Sequence, residues 1–117
     1  MMSDQVPEGK RALYQQAIDT HPEMELKGAK KLPYTSMNGN MYTMMSKDGR
    51  LGIRLGKADF DAFIAKHNTV QFKNYGANMR EYVEVPDALL QDTDALAPYL
   101  AMSHEYAKTL KPKATKK

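Results

Sequence analysis

The segment SKDGRLGIRLGKADF, residues 46–60, contains the residue types from which phosphate-binding loops are built, namely three glycines followed by a lysine. A Walker-type loop requires G-x-x-x-x-G-K-[ST], because its backbone amides surround the phosphates, its lysine contacts them and its hydroxyl binds magnesium. Here only three residues separate Gly52 from Gly56, and Ala58 stands where the hydroxyl is required after Lys57. The spacing therefore indicates a hairpin turn and a helix start, and not a phosphate site.

The three histidines are the next candidates for chemistry. His21, His67 and His104 have neither the H-x-x-x-H nor the H-E-x-x-H spacing that places two imidazoles on one metal ion. Ser103, His104 and Glu105 are consecutive on a predicted helix, so their side chains point in different directions and cannot form a nucleophile–base pair. We expect structural roles for the histidines, with no metal site and no catalytic residue.

Paired carboxylates are the remaining candidates for acid–base chemistry. Asp59 with Asp61, and Asp92 with Asp94, stand two residues apart at predicted helix starts. Carboxylates at a helix N-terminus interact favourably with the helix dipole, and that is their more common role there. The sequence therefore predicts a protein that is not an enzyme and has no cofactor.

Composition and charge place this chain among single-domain proteins. It has 117 residues, of which 42% are apolar and 26% charged, and it contains no cysteine. No stretch resembles a signal peptide or a membrane helix, so we expect a cytoplasmic protein. The net charge of +3 comes from residues 111–117, KPKATKK, since removing their four lysines leaves 13 basic and 14 acidic residues. We predict one domain over residues 1–110 and a disordered lysine-rich tail over 111–117, with polyanion binding by that tail as the alternative.

Hydrophobic periodicity indicates the elements that must position any functional side chain. Helical spacing is present in EGKRALYQQAID, in KADFDAFIAKH and in the segment that ends with SHEYAKTL, whereas alternation is present from residue 41 to 45, in RLGIRL, in VQFK and in MREYVEVP. Two turns, Asn38-Gly39 and a two-residue turn at Asp48-Gly49, separate the early strands. The predicted order is α-β-β-β-α-β-β-α, a two-layer α+β domain whose five-stranded antiparallel sheet has helices mainly on one face.

Alternation also predicts which side chains lie on the outer face of the sheet, away from the helices. Met41, Thr43 and Met45 should face inward. The predicted outer face comprises Tyr42, Arg54, Arg80, Tyr82 and Glu84. Arginine and tyrosine are the residues that protein interfaces favour, so we predict a homodimer or partner surface on this face.

A nucleic-acid-binding module is the alternative function. In that case Arg54, Arg80, Lys73 and the tail would contact phosphates, while Tyr42, Tyr75 and Tyr82 would stack on bases. The near-neutral body of the chain argues against this alternative.

Several segments resemble the N-terminal domain of the TfoX/Sxy family of bacterial competence regulators and its stand-alone relatives. They are GNMYTMMSKDGRLGIRLGKADFDAFIAKH, FKNYGANMREYVEVPDALL and LAPYLAMSHEYAKTLKPK, and together they cover most of the chain. The resemblance is carried by Gly39, the DGRLGIRL hairpin, EYVEVP, and the pattern of Tyr99, Leu100, Ser103 and Tyr106. It implies a secretion-chaperone-like domain of helices and a five-stranded antiparallel sheet, a regulatory role, and no active site. Full-length regulators append a helical domain, whereas a lysine tail follows Leu110 here.

Overall fold

The computed structural model describes residues 7–28, 33–74 and 77–111, with the backbone alone at positions 74, 77 and 78. Its elements, in chain order, are α1 (Glu8–Ile18), β1 (Tyr34–Met37), β2 (Asn40–Met45), β3 (Leu51–Arg54), α2 (Lys57–His67), β4 (Gln71–Asn74), β5 (Ala77–Val85), α3 (Asp87–Leu90) and α4 (Thr93–Lys108). The predicted order is confirmed, with the short helix α3 added before the last helix.

The five strands form one antiparallel sheet in the order β1-β2-β3-β5-β4. After β3 the chain passes through α2 and forms the edge strand β4. It then returns as β5, which lies between β3 and β4 and pairs with both. The predicted α+β class is confirmed.

One face of the sheet carries the main core. Met45, Ile53 and Val83 from three adjacent strands pack in one cluster with side chains from all four described helices. The helical members include Tyr14 and Ile18 from α1, Phe63 from α2, Leu89 and Leu90 from α3, and Leu96, Leu100 and Ala107 from α4. The helices therefore form the second layer on that face.

Local signals explain where the helices begin and end. α2 begins after Gly56, whose backbone is extended. It is followed by Asn68, whose φ of 52° is the left-handed conformation typical of the residue that ends a helix. α4 begins at Asp92, whose side chain accepts a hydrogen bond from the amide of Ala95 at 3.1 Å. Pro98 lies inside α4, in its second turn, where it lacks the amide that would donate to the carbonyl of Asp94. The predicted starts of α2 and α4 are confirmed.

The two early turns differ from each other. Asn38 and Gly39 have φ of 53° and 80°, and Met37 pairs with Asn40, which is the predicted two-residue turn with positive φ at both positions. At the second turn the amide of Ser46 donates to the carbonyl of Arg50, so the loop has three residues and the predicted two-residue turn is wrong. Gly49 supplies the left-handed residue that three-residue loops require, with φ of 86°.

A bulge in β2 changes which residues face the helices. Thr43 pairs with Thr35, but Met41 pairs with Ser36, so Tyr42 is an extra residue without a partner in β1. Both Tyr42 and Thr43 consequently face the helical layer, and Tyr42 is only 2% exposed. The predicted outward position of Tyr42 and inward position of Met41 are therefore wrong, because strict alternation fails at a bulge.

Two glycines in this region are sensitive to substitution for different reasons. Gly49→Val places a β-branched residue at φ of 86°, and we expect unfolding free energy to fall by about 1–3 kcal/mol. Gly52 has ordinary backbone geometry, but an added Cβ would lie 2.5 Å from the ring of Phe72. We therefore expect Gly52→Ala to destabilise the fold by about 1–3 kcal/mol, and not to be neutral as strand geometry alone suggests.

Gly9→Ala is the control, since nothing lies within 4 Å of its added Cβ and alanine favours the helix. Urea unfolding of the three variants checks both expectations. A Gly52→Ala variant as stable as the parent would contradict the contact between Phe72 and Gly52.

Candidate interaction face

The outer face of the sheet carries a second apolar cluster, here called the outer cluster. Its buried members are Met44, Phe72 and Tyr82, and its half-buried members are Tyr34, Met41 and Met79. None of the described helices contributes to it. A sheet face that met only water would alternate toward polar residues, so six apolar side chains here need a physical explanation.

Part of that explanation is the curvature of the β4–β5 hairpin. Gln71 pairs with Val83 and Lys73 pairs with Asn78, so Phe72 alone in β4 lies opposite residues 79–82 of β5. This large bulge bends the hairpin over the sheet, and the ring of Phe72 covers Gly52 of β3 although β5 lies between the two strands. Glycine at position 52 provides the space for that ring.

Tyr82 anchors the outer cluster and presents little surface. Its side chain is 5% exposed, and its hydroxyl donates to the carbonyl of Met41 at 2.7 Å. Burial raises its pKa well above the usual value for tyrosine, so the hydroxyl stays protonated and continues to donate. Tyr82 lies on the outer face as predicted, but its aromatic face is not available to a partner.

Arg54 belongs to a network that connects the sheet to α4. Its Nε donates to Oε1 of Glu81 at 2.8 Å, and the hydroxyl of Tyr106 donates to Oε2 of the same carboxylate at 2.7 Å. Burial opposes ionisation of Glu81, but the hydrogen bonds from Tyr106 and Arg54 outweigh it and hold its pKa below the usual range. The guanidinium of Arg54 is thus occupied by an ion pair within its own chain.

The backbone of Glu81 is in an unusual conformation. Its φ is 71°, in the left-handed region that residues with a Cβ rarely adopt, and its carbonyl accepts from the amide of Leu55 at 2.9 Å. Ser103 of α4 fixes the neighbouring strands, since its hydroxyl lies 2.6 Å from the carbonyl of Arg54 and 3.1 Å from that of Tyr42. These contacts hold the bulged region in place, and the predicted alternation of β5 fails at Glu81.

The remaining charged residues of the predicted face form its rim. Glu84 accepts from Nη1 of Arg50 at 3.3 Å, and Nε of Arg50 donates to Asp48 at 2.8 Å. The Arg50 guanidinium also lies 5.3 Å from the centre of the Phe72 ring. Arg80 is exposed. The rim of the outer cluster is therefore made largely of acid–base pairs within one chain.

The five predicted residues are thus only partly brought together. Tyr82 and Glu84 lie on the outer face, Arg54 is turned to Glu81, Arg80 is exposed, and Tyr42 lies in the opposite core. Tyr34, Met41 and Met79, which are the half-buried members of the outer cluster, were not predicted. The alternation of hydrophobic residues would have found Met41 only if the bulge had been recognised.

The geometry also bears on the predicted nucleic-acid surface. Tyr42 and Tyr82 are buried, so neither ring has an open face on which a base could stack. Lys73 and Arg80 are exposed, Tyr75 lies outside the described residues, and so does the tail apart from Lys111. The carbonyl of Lys111 accepts from the side chain of Asn40 at 2.9 Å.

Two groups of buried polar residues were not predicted from the sequence. The hydroxyl of Tyr14 lies 2.5 Å from that of Thr43, which lies 2.7 Å from that of Thr35, and this chain of hydroxyls ties α1 to the sheet. His104 is fully buried beneath the segment that follows α1. Across residues 7–28, 33–74 and 77–111, no group of three or more His, Asp or Glu side chains is arranged to bind a metal ion.

The described helices are all too short or too polar to cross a membrane. Comparison of the chain with protein-family models, curated proteins and solved structures gives no match. The resemblance to the TfoX/Sxy N-terminal domain accordingly stays a prediction.

Removing the Tyr106 hydroxyl tests the network around Glu81. We expect Tyr106→Phe to lower the free energy of unfolding at pH 7 by about 1.5–3 kcal/mol, the range for a hydrogen bond to a charged group. Because the hydrogen bonds lower the pKa of Glu81 in the folded state, the stability they give is present above its unfolded pKa of about 4.3 and is lost as pH falls through the folded value.

The difference between parent and Tyr106→Phe should therefore shrink as the pH of urea unfolding is lowered from 7 toward 3. Tyr99→Phe is the matched control, since its hydroxyl contacts His67 at 3.0 Å and not a carboxylate. A difference for Tyr106→Phe that does not change over this range would show that Glu81 is not the acceptor.

Proposed function

We propose that this chain is a non-enzymatic interaction domain that pairs with a second copy of itself through the outer cluster. The observation that carries the proposal is the apolar cluster on the sheet face that none of the described helices covers. Three of its members, Tyr34, Met41 and Met79, are half-buried in the single chain and would become fully buried in a complex. Methionine adapts its shape to a partner and tyrosine is enriched at interfaces, so the composition suits this use.

The charges around the cluster favour a second copy over a strongly charged partner. Arg50 pairs with Asp48 and Glu84, and Arg54 pairs with Glu81, so the rim carries both signs in close balance. A two-fold interface brings the same patch of both copies together, which a rim of a single sign would oppose. The near balance of 13 basic and 14 acidic residues before position 111 also keeps mutual repulsion small.

The TfoX/Sxy resemblance supports the same class of function. It implies a bacterial regulatory domain without an active site, and its implied helix-and-sheet architecture agrees with the observed fold. Regulation through an interaction surface is therefore the role we propose, with a cytoplasmic location.

The test variants must disturb the surface without disturbing the fold. Tyr82→Ala and Arg54→Ala are unsuitable, because the first would remove a buried anchor and the second would leave Glu81 without its cation. Met41→Gln combined with Met79→Gln changes two half-buried side chains of the outer cluster. Met102→Gln is the matched control, since Met102 is a half-buried methionine on α4, where it packs against the opposite core.

We expect the parent to sediment as a dimer and the double variant to have a dissociation constant raised at least tenfold, because each buried methionine contributes roughly 1–3 kcal/mol. Met102→Gln should associate like the parent. Sedimentation velocity over a concentration series measures this, with thermal melts to establish that each variant is folded. A parent that stays monomeric well above micromolar concentration would contradict the proposal.

A further inference from the structure

His104 is buried in a way that ordinary structural histidines are not. Its exposure is 0%, and neither ring nitrogen has a hydrogen-bond partner within the described part of the chain. Buried polar atoms are nearly always paired, because an unpaired one loses its bonds to water without replacement. His67, by contrast, lies 3.0 Å from the hydroxyl of Tyr99. An unpaired buried imidazole therefore points to a use other than hydrogen bonding.

The surroundings of His104 are crowded with titratable groups from three parts of the fold. In the segment after α1, the centre of the His21 ring lies 4.7 Å from the centre of the His104 ring, and Oε1 of Glu23 lies 3.8 Å from Nε2 of His104. From β2, Tyr42 makes an edge contact at 5.6 Å between ring centres. On α4 itself, Nζ of Lys108 lies 3.0 Å from Oε2 of Glu105 and 3.9 Å from Oε1 of Glu23.

These groups act on the protonation of His104 in opposite directions. Burial lowers its pKa most, His21 and Lys108 lower it further, and Glu23 and Glu105 oppose them without reversing the direction. Because Glu23 is largely exposed and already lies near Lys108, its carboxylate compensates little for a buried positive charge. His104 is consequently neutral in the packed state at neutral pH.

The segment that covers His104 also holds the edge of the sheet. His21 follows the last turn of α1, and Met24, which is 8% exposed, packs in the main core. Three residues later, Lys27 and Tyr34 exchange two backbone hydrogen bonds, at 2.7 and 3.0 Å. Lys27 therefore pairs with the edge of β1 that faces away from β2. Tyr34 is itself a member of the outer cluster. The covering segment thus connects His104 to the proposed interaction face.

We propose that His104 is a proton-operated latch: protonation of its buried ring releases the segment from His21 to Gly28, and with it the Lys27–Tyr34 pairing at the edge of β1. Acid thereby exposes the edge of β1 and frees the backbone of Tyr34 from its hydrogen bonds with Lys27. The effect on dimer formation rests on the proposed function, whereas the release itself is a property of the single chain.

The direction of the pH effect follows from proton linkage. In the released state His104 is solvated and has a pKa of about 6.5, while in the packed state its pKa is lower. The packed state is therefore stabilised above pH 6.5 and loses that stability as pH falls below it. If only the released state binds the proton, the equilibrium constant for release rises about tenfold between pH 7.5 and pH 5.5.

Hydrogen exchange of backbone amides measures this release directly. The amides of Lys27 and Tyr34 report on the latch, and the amide of Leu55, which donates to Glu81 in the sheet, reports on global unfolding. After correction for intrinsic exchange rates, we expect the protection of Lys27 and Tyr34 to fall about tenfold from pH 7.5 to pH 5.5, with Leu55 changing much less.

Three variants separate the latch from other sources of pH dependence. His104→Phe keeps an aromatic ring beside Tyr42 but cannot be protonated, so the pH-dependent loss of protection should disappear. His21→Gln removes one source of repulsion and should weaken the dependence without abolishing it; it serves also if His104→Phe does not fold. His67→Gln changes the remaining histidine of the chain and should leave the dependence unchanged.

The proposal is overturned if His104→Phe keeps the parental pH dependence, or if Leu55 loses protection together with Lys27 and Tyr34. It is also overturned if the dependence disappears in His67→Gln. Because these measurements need no second copy, they stand or fall separately from dimer formation, which sedimentation measures.

Discussion

In β2, Thr43 lies opposite Thr35 while Met41 lies opposite Ser36, so Tyr42 occupies one position too many for the strand beside it. This bulge turns Tyr42 toward the helices, where its carbonyl accepts from Ser103 and its ring contacts His104. The same irregularity turns Met41 to the opposite face, where its carbonyl receives the hydroxyl of Tyr82. The contacts of Tyr42 with α4, and the place of Met41 in the outer cluster, both depend on this one extra residue.

A second bulge, in β5, adds to the effect of the bulge in β2. Glu81 adopts a left-handed backbone conformation, and its carboxylate is held by Arg54 from the sheet and by Tyr106 from α4. Beyond it the β4–β5 hairpin bends until Phe72 covers Gly52. Strained backbone persists only where surrounding contacts determine it, and here those contacts come from both layers. The domain therefore has two apolar clusters, one on each face of the sheet.

The sequence predicted the fold class well because the periodic segments are long and their ends carry clear signals. The bounds of α2 followed from Gly56 and the helical spacing up to His67, and the turn at Asn38-Gly39 followed from the residue types that favour positive φ. The candidate face was predicted less well. Tyr42 was misplaced because period-2 alternation assumes a regular ladder, and no local sequence signal shows that Tyr42 or Glu81 interrupts it. The partnerless burial of His104 depends on how the segment after α1 crosses α4, which is a tertiary contact that no local pattern encodes.

Contacts between methionine methyl groups and aromatic rings of different copies are the sharpest test of whether two chains pair through the outer cluster. In a mixed sample of isotope-labelled and unlabelled chains, filtered NMR experiments detect only contacts that cross between copies. We expect intermolecular signals from the methyl groups of Met41 and Met79 to the ring of Tyr34, and none from Met102. Intermolecular signals from Met102 without any from Met41 or Met79, or no intermolecular signals at all, would contradict it.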